Sequence, residues 1–215
     1  MDFIGAYSSD NVLYMLEGFL VTIGVACIAI ILSFLVACLL AVVRYARIPV
    51  LSQCTAVLVE IIRNLPLLLI IFFVFFALPQ VGLKMSVFAA AIVALTIFEA
   101  AMVSEIIRAG LMSIDKGQIE AARSSGLSFI QTLRFVTMPQ ALRRMIPPMV
   151  SQFIALLKDT SLTVIIALPE LMHNVQIVNG QSVNYIIPTY LFAALLYFIV
   201  NYALSMFARR LELRG

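Results

Sequence analysis

The chain has 215 residues, 63% of them hydrophobic and 12% charged, with a mean hydropathy of +1.10. That apolar content is far above an ordinary soluble domain and marks an integral membrane protein. The net charge of +3 is spread so that it reads as orientation in a membrane and not as a nucleic-acid surface.

A helix needs about 20 apolar residues to cross a hydrocarbon core of roughly 30 Å. Five runs qualify: about 12–43, 55–78, 86–109, 146–167 and 185–208. The first is longer than one crossing requires and should tilt or protrude. Asp2, Asp10 and Glu17 precede the first basic residue, Arg44, so the basic start of a cleavable signal peptide is missing and this segment is expected to stay in the protein. Arg44 and Arg47 follow segment one. Arg108, Lys116, Arg123, Arg134, Arg143 and Arg144 lie between segments three and four, and Arg209, Arg210 and Arg214 follow segment five. The alternate loops hold only Lys84. All three basic regions fall on one side under a five-helix count, which predicts an all-α membrane protein with the N-terminus out and the C-terminus in.

One membrane domain spanning 1–215, without a soluble appendage, is expected. The outer loop 78–86 is short and turn-rich, and the loop 169–185 is polar, with Asn-Gly and Gly-Gln turn signals. Cys27, Cys38 and Cys54 lie in or beside apolar helix without metal or disulfide spacing and read as buried, inert thiols. No phosphate loop of the G-x-x-x-x-G-K-[ST] type is present, so ATP hydrolysis by that machinery is not expected of this chain.

Between segments three and four stands a polar insert, 110–144. Asp115 opens a D-x-x-Q start with Gln118, and Gly126 is placed to end that helix in a left-handed turn. Ser128 opens S-x-x-Q with Gln131, and the following helix should run until Pro139 stops it. Phe129, Leu133 and Val136 give it an apolar face. That face must be covered, either by the bundle or lipid interface or by a cytosolic partner.

The stretch EAARSSGLSFIQTLRFVTMPQAL (120–142) resembles the EAA loop of permease subunits of ATP-binding-cassette importers. IIRNLPLLL (61–69), FEAAMVSEIIRAG (98–110) and LLKDTSL (156–162) resemble the polar amino acid uptake branch, in the same order along essentially the whole chain. The resemblance implies that the loop is a coupling helix seated in a groove of a cytosolic ATP-binding subunit. Gly117, Glu120, Ala121, Ala122, Arg123, Gly126 and Pro139 are the residues it assigns to that contact. It further implies a second permease copy or close relative, and an extracytoplasmic binding protein delivering a polar amino acid. Glutamine or glutamate is favoured. No cofactor is expected on this chain, since ATP and Mg would be held by the cytosolic partner, and the chain itself would lie in the bacterial plasma membrane.

Ionisable residues at bilayer depth are functional candidates. Counted at roughly 1.5 Å per residue, Glu99 and Lys158 each lie about 18 Å into their segments, with Arg63 slightly to the cytoplasmic side. Arg63, Glu99, Lys158 and Asp159 therefore either pair with one another across helices or line a polar cavity for a zwitterion. Pro66 should break segment two just after Arg63 and Asn64. KDTS (158–161) should interrupt segment four, with Thr160 or Ser161 capping a half-helix that restarts at Leu162 and faces a carboxylate. The substrate carboxylate would then meet Arg63 and the Thr160/Ser161 region, and the ammonium Glu99 or Asp159. Glu105 and Arg108 form an i, i+3 pair that should shape the loop exit, and Glu60 stands likewise to Arg63. His173 should be a polar surface residue of the outer loop. An ion-coupled carrier or channel using Glu99 and Asp159, or a non-transporting scaffold, are the alternatives these residues leave open.

Overall fold

A computed structural model describes residues 1–46 and 48–212; Arg47 and Arg214, counted above for orientation, lie outside the described residues. The described chain is helical and contains no strand among those residues. After a single turn, α1 (Phe3–Ala6), the first long helix α2 (Ser9–Tyr45) starts on the Ser8 side chain. Segment two is two arms, α3 (Leu51–Asn64) and a second arm beginning with α4 (Leu67–Phe72), bent by 106°. Next comes α5 (Val87–Met112), capped by Ser86. The insert holds α6 (Lys116–Ser124) and α7 (Phe129–Thr132). One π turn later, α8 (Met138–Asp159) carries the chain into a 3-10 stretch, Thr160–Ile166. The chain closes with α9 (Leu171–Asn179) and α10 (Ile186–Glu212).

Among the described residues, four helical stretches are long and apolar enough to cross a membrane, and five if the bent pair counts as one. The centre of the bundle is α5, which packs chiefly on α2 through small side chains. Ala26, Ala29, Ala37 and Ala41 of α2 and Ala90, Ala91, Ala94, Ala100 and Ala101 of α5 are all buried. In lipid there is no hydrophobic force between helices, so close backbone approach and van der Waals contact must hold them, and alanine permits both. The same logic explains Gly110, where an added Cβ would lie 2.3 Å from Met145 Cγ of α8. The second arm seats Leu67, Ile70, Ile71 and Val74 against Val25, Leu95 and Leu156.

Several local expectations are corrected. Pro139 does not stop the helix: α7, the π turn Leu133–Thr137, α8 and the 3-10 stretch Thr160–Ile166 run as one 38-residue helical stretch, 129–166. The wide turn makes room for the proline ring, which would otherwise strike the preceding carbonyl. The loop 169–185 is largely helix, because Glu170 caps α9. Cys27 and Cys54 are exposed and Cys38 is half-buried, all unpaired, since the outer face of a membrane helix is itself apolar.

Candidate functional site

The polar insert is built by its own residues. Asp115 Oδ1 accepts the Gly117 N–H at 2.7 Å and starts α6. Gln118 does not complete a capping box; its Oε1 instead accepts from Gln140 Nε2 at 2.7 Å, tying α6 to α8. At the other end Gly126 N–H meets Arg123 O and Leu127 N–H meets Ala122 O, a Schellman turn with Gly126 at φ +88°. Nothing lies within 4 Å of a Cβ built on Gly126, so the glycine serves backbone conformation and not close packing within this chain. Arg123 Nη1 donates to Leu127 O at 3.0 Å and locks the turn. The Ser128/Gln131 box forms as expected.

This geometry leaves a definite outer surface. Gly117, Glu120, Ala121 and Arg123 are exposed, while Ile119 and Ala122 turn inward. Glu120 has no side-chain partner among the described residues. Of the apolar face, Leu133 packs into the core around Met145 and Ile114 and Val136 is half-buried, whereas Phe129 is 55% exposed; Ile130 and Phe135, off that face, are exposed as well. The insert is anchored twice more at its base, by Arg144 on Ser113 and by Tyr45 against the Phe129 ring, 6.4 Å between centroids.

Within the bundle the candidate charges do not form one cluster. Glu99 is fully buried; Oε2 accepts from Gln152 Nε2 at 3.1 Å, and Oε1 has no partner. Asp159, half-buried, lies within electrostatic reach of Glu99 and beside Lys158. Lys158 is exposed. Arg63 and Asn64 are exposed at the end of α3, two residues before the bend, with Asn64 Nδ2 on Glu60 O at 2.8 Å. The straight depth scale used for Arg63 therefore does not apply. Neither Arg63 nor Lys158 has an ion-pair partner among the described residues, so the Glu60–Arg63 pair does not form. A cavity of about 350 Å³ beside the bend is lined by Ile62, Leu65, Leu69, Ile70, Phe73, Val74 and Ile97, all apolar.

The half-helix restart at Leu162 is also corrected. The backbone stays helical through Asp159 and Thr160, and the hydroxyls turn back: Thr160 Oγ1 donates to Leu157 O and Ser161 Oγ to Lys158 O, both at 2.7 Å. Turned this way they satisfy carbonyls freed by the change to 3-10 winding and cannot cap free N–H groups. The expected Glu105–Arg108 pair forms and gains Arg44, 2.5 Å from Glu105 Oε2.

One polar centre was not anticipated from sequence. Glu170, fully buried, accepts from His173 N at 2.8 Å, from Thr22 Oγ1 at 3.4 Å and from Tyr197 OH at 3.4 Å, so it ties α2, α9 and α10 together. Burial pushes its carboxyl up to about 7. The lone carboxylate in LPELM, flanked by apolar residues, is the only signal the sequence holds for it.

A family model described as the inner membrane component of binding-protein-dependent transport systems matches residues 29–214. The chain belongs to that family. The permease is 68% identical over 216 residues to the probable glutamine ABC transporter permease protein GlnP of Bacillus subtilis (strain 168), covering 100% of this chain and 99% of that protein. It is 38% identical over 205 residues to the probable glutamine ABC transporter permease protein GlnM of the same organism, covering 95% of this chain and 94% of that one. Its fold matches a crystal structure of an amino acid ABC transporter with histidines at TM-score 0.93 and 27% identity, over 100% of this chain and 99% of the other. A MetNI methionine ABC transporter, 20% identical, shares the fold at TM-score 0.75 over 95% of this chain and 99% of that one. The resemblance drawn from the EAA stretch is thus borne out along the chain: it is a multi-pass permease subunit of an ABC importer in the bacterial plasma membrane.

Proposed function

We propose that this permease imports glutamine, with its N-terminus outside, its C-terminus inside and the bent pair α3–α4 counted as the second of five crossings. The observation that carries the substrate is the 68% identity, end to end, to a probable glutamine permease. ATP and Mg would reside on a separate cytosolic subunit, a binding protein would deliver the amino acid outside, and the chain is one domain whose loop 110–144 couples the two.

The insert suits such coupling. Its outer face offers Gly117, Glu120, Ala121 and Arg123 to a groove, with Ala122 behind them and Gly126 closing the turn. The Gln118–Gln140 bond, together with the helix running unbroken through Pro139 into α8, passes a displacement of α6 to Lys158 and Asp159. A floppy loop would absorb that movement. In the membrane, Glu99 presents an unpartnered buried oxygen to a ligand ammonium or amide. Charges left facing lipid cost a few kcal/mol each, so the exposed Arg63 and Lys158, with the polar Asn64 beside Arg63, belong on a face that a second permease copy covers. Ser161 borders that face next to Asp159, with Thr160 buried behind it, and Arg63 would receive the carboxylate.

The test is uptake of labelled glutamine into proteoliposomes carrying the permease, its ATP-binding subunit and its binding protein. ATP-dependent accumulation is expected. Accumulation driven by an ion gradient without the ATP-binding subunit would overturn the proposal in favour of an ion-coupled carrier.

A further inference from the structure

Where α2 and α5 leave the membrane beside the start of α3, a cleft of about 320 Å³ is lined by Arg44, Tyr45, Ser52, Ala56, Arg108 and Met112. Two guanidinium groups share one carboxylate there. Arg44 Nη1 donates to Glu105 Oε2 at 2.5 Å, and Arg108 donates to Glu105 Oε1 through Nε at 3.0 Å and through Nη2. Arg108 Nη1 points to Met112 Sδ at 2.7 Å. The triad therefore keeps one net positive charge. Arg44 uses only one of its five N–H donors among the described residues. The Ser52 and Tyr45 hydroxyls have no hydrogen-bond partner there either. Unfilled donors around a partly buried surplus cation suit a phosphate, which guanidinium groups hold through paired, charge-assisted bonds.

The surroundings say which kind of phosphate. Ala56 also borders a second hollow, lined by Ala56, Val57, Glu60 and Ile61. Val57 and Ile61 are 60% and 53% exposed, an apolar wall along α3. A cationic pocket at a helix exit opening onto an apolar helix face has the form of a headgroup site with an acyl-chain track. We propose that this cleft binds the phosphate of an anionic phospholipid, with Arg44 and Ser52 as principal donors. Glu60, exposed in the adjoining hollow, bounds the site and keeps a second phosphate out. Tyr45, which lines the cleft, also packs against Phe129 at the head of the insert's second helix, so an occupied site braces the base of the coupling loop. Lipid binding does not depend on glutamine being the substrate.

The experiment is native mass spectrometry of the whole transporter released from nanodiscs of phosphatidylcholine with or without phosphatidylglycerol. Wild type is compared with Arg44→Gln and with Ser52→Leu, which fills the cleft and leaves the ion pairs alone. Selective retention of phosphatidylglycerol by wild type, falling about tenfold in both variants, is expected, the ratio that goes with one lost charge-assisted hydrogen bond. The intact mass of the complex shows whether each variant has folded. Equal retention in wild type and Ser52→Leu, or no preference for phosphatidylglycerol in wild type, would overturn the proposal. So would displacement of the retained lipid by excess inorganic phosphate, because the cleft would then be a soluble-anion site.

Discussion

Two breaks in the helical course of this permease, at Gly126 and at Leu65–Pro66, are built by opposite means. Around Gly126 the freed backbone groups that are satisfied find their partners within a few residues, through the Schellman bonds, the Asp115 cap and the Ser128/Gln131 box. Almost nothing from the bundle presses on the turn itself. At Pro66 no side chain caps the start of the second arm, and α3 ends with only Asn64 Nδ2 donating to Glu60 O. There the 106° bend is held by what the second arm packs against, chiefly α5 and the 3-10 stretch Thr160–Ile166. The first break is a self-contained shape. The second is a consequence of the bundle and will change when the bundle changes.

That contrast is sharpest where function is read. Glu99→Gln keeps the Gln152 contact and the packing but removes a buried charge. Glutamine uptake is expected to fall about 10- to 100-fold, the factor for one lost charge-assisted bond, with the complex intact by size exclusion. Wild-type uptake would remove Glu99 from the site. Gly110→Val tests the bundle half. With Met145 already 2.3 Å from an added Cβ, overpacking should cost about 1–3 kcal/mol and lower the melting temperature of the detergent-solubilised chain. Gly126→Val, by contrast, should leave that melting temperature nearly unchanged. A β-branched residue at φ +88° costs about 1–2 kcal/mol locally, so the loss should appear as severalfold weaker recovery of the ATP-binding subunit, largely restored by Gly126→Asn. Equal effects of Gly126→Val and Gly126→Asn would show that side-chain volume and not backbone conformation matters there.

The smallest expected effect is a pH slope. Because Glu170 is raised from its ordinary 4.5 to about 7 by burial, the folded state holds an extra proton between those values. Stability from this group is therefore present at low pH, declines as pH rises through that window and levels off above about 7. Glu170→Gln should flatten this decline in melting temperature measured across the same range. An unchanged slope would mean that the carboxyl titrates normally.

How much could be read in advance follows from the same contrast. Caps and turns are contracts between residues two to five apart, so Asp115, Gly126 and Ser128 were legible, as was the Glu105–Arg108 pair one turn apart. Pro66 announced a break but not its angle, which α5 and the 3-10 stretch decide. Pro139 announced a stop that a π turn absorbed. Thr160 and Ser161 carried a capping signal that lost to carbonyls freed by 3-10 winding, and their part in binding rests on the neighbouring Asp159. The five apolar runs survive as four clear spans and one bent pair. The grouping of Glu170 with Thr22 and Tyr197 brings together residues 148 and 27 positions apart, a juxtaposition no local pattern encodes.

The claim on which the mechanism turns is that the outer face of α6 is where the ATP-binding subunit docks. It is tested most directly by tagging this chain, purifying it from native membranes in mild detergent and identifying what accompanies it, in wild type and in Glu120→Arg. Glu120 is exposed and has no partner of its own among the described residues, so charge reversal there should spare the fold. An ATPase subunit bearing a phosphate loop, present with wild type and lost with Glu120→Arg at equal yield of the permease, is the expected result. The same subunit recovered equally with both would contradict it and place the docking surface elsewhere.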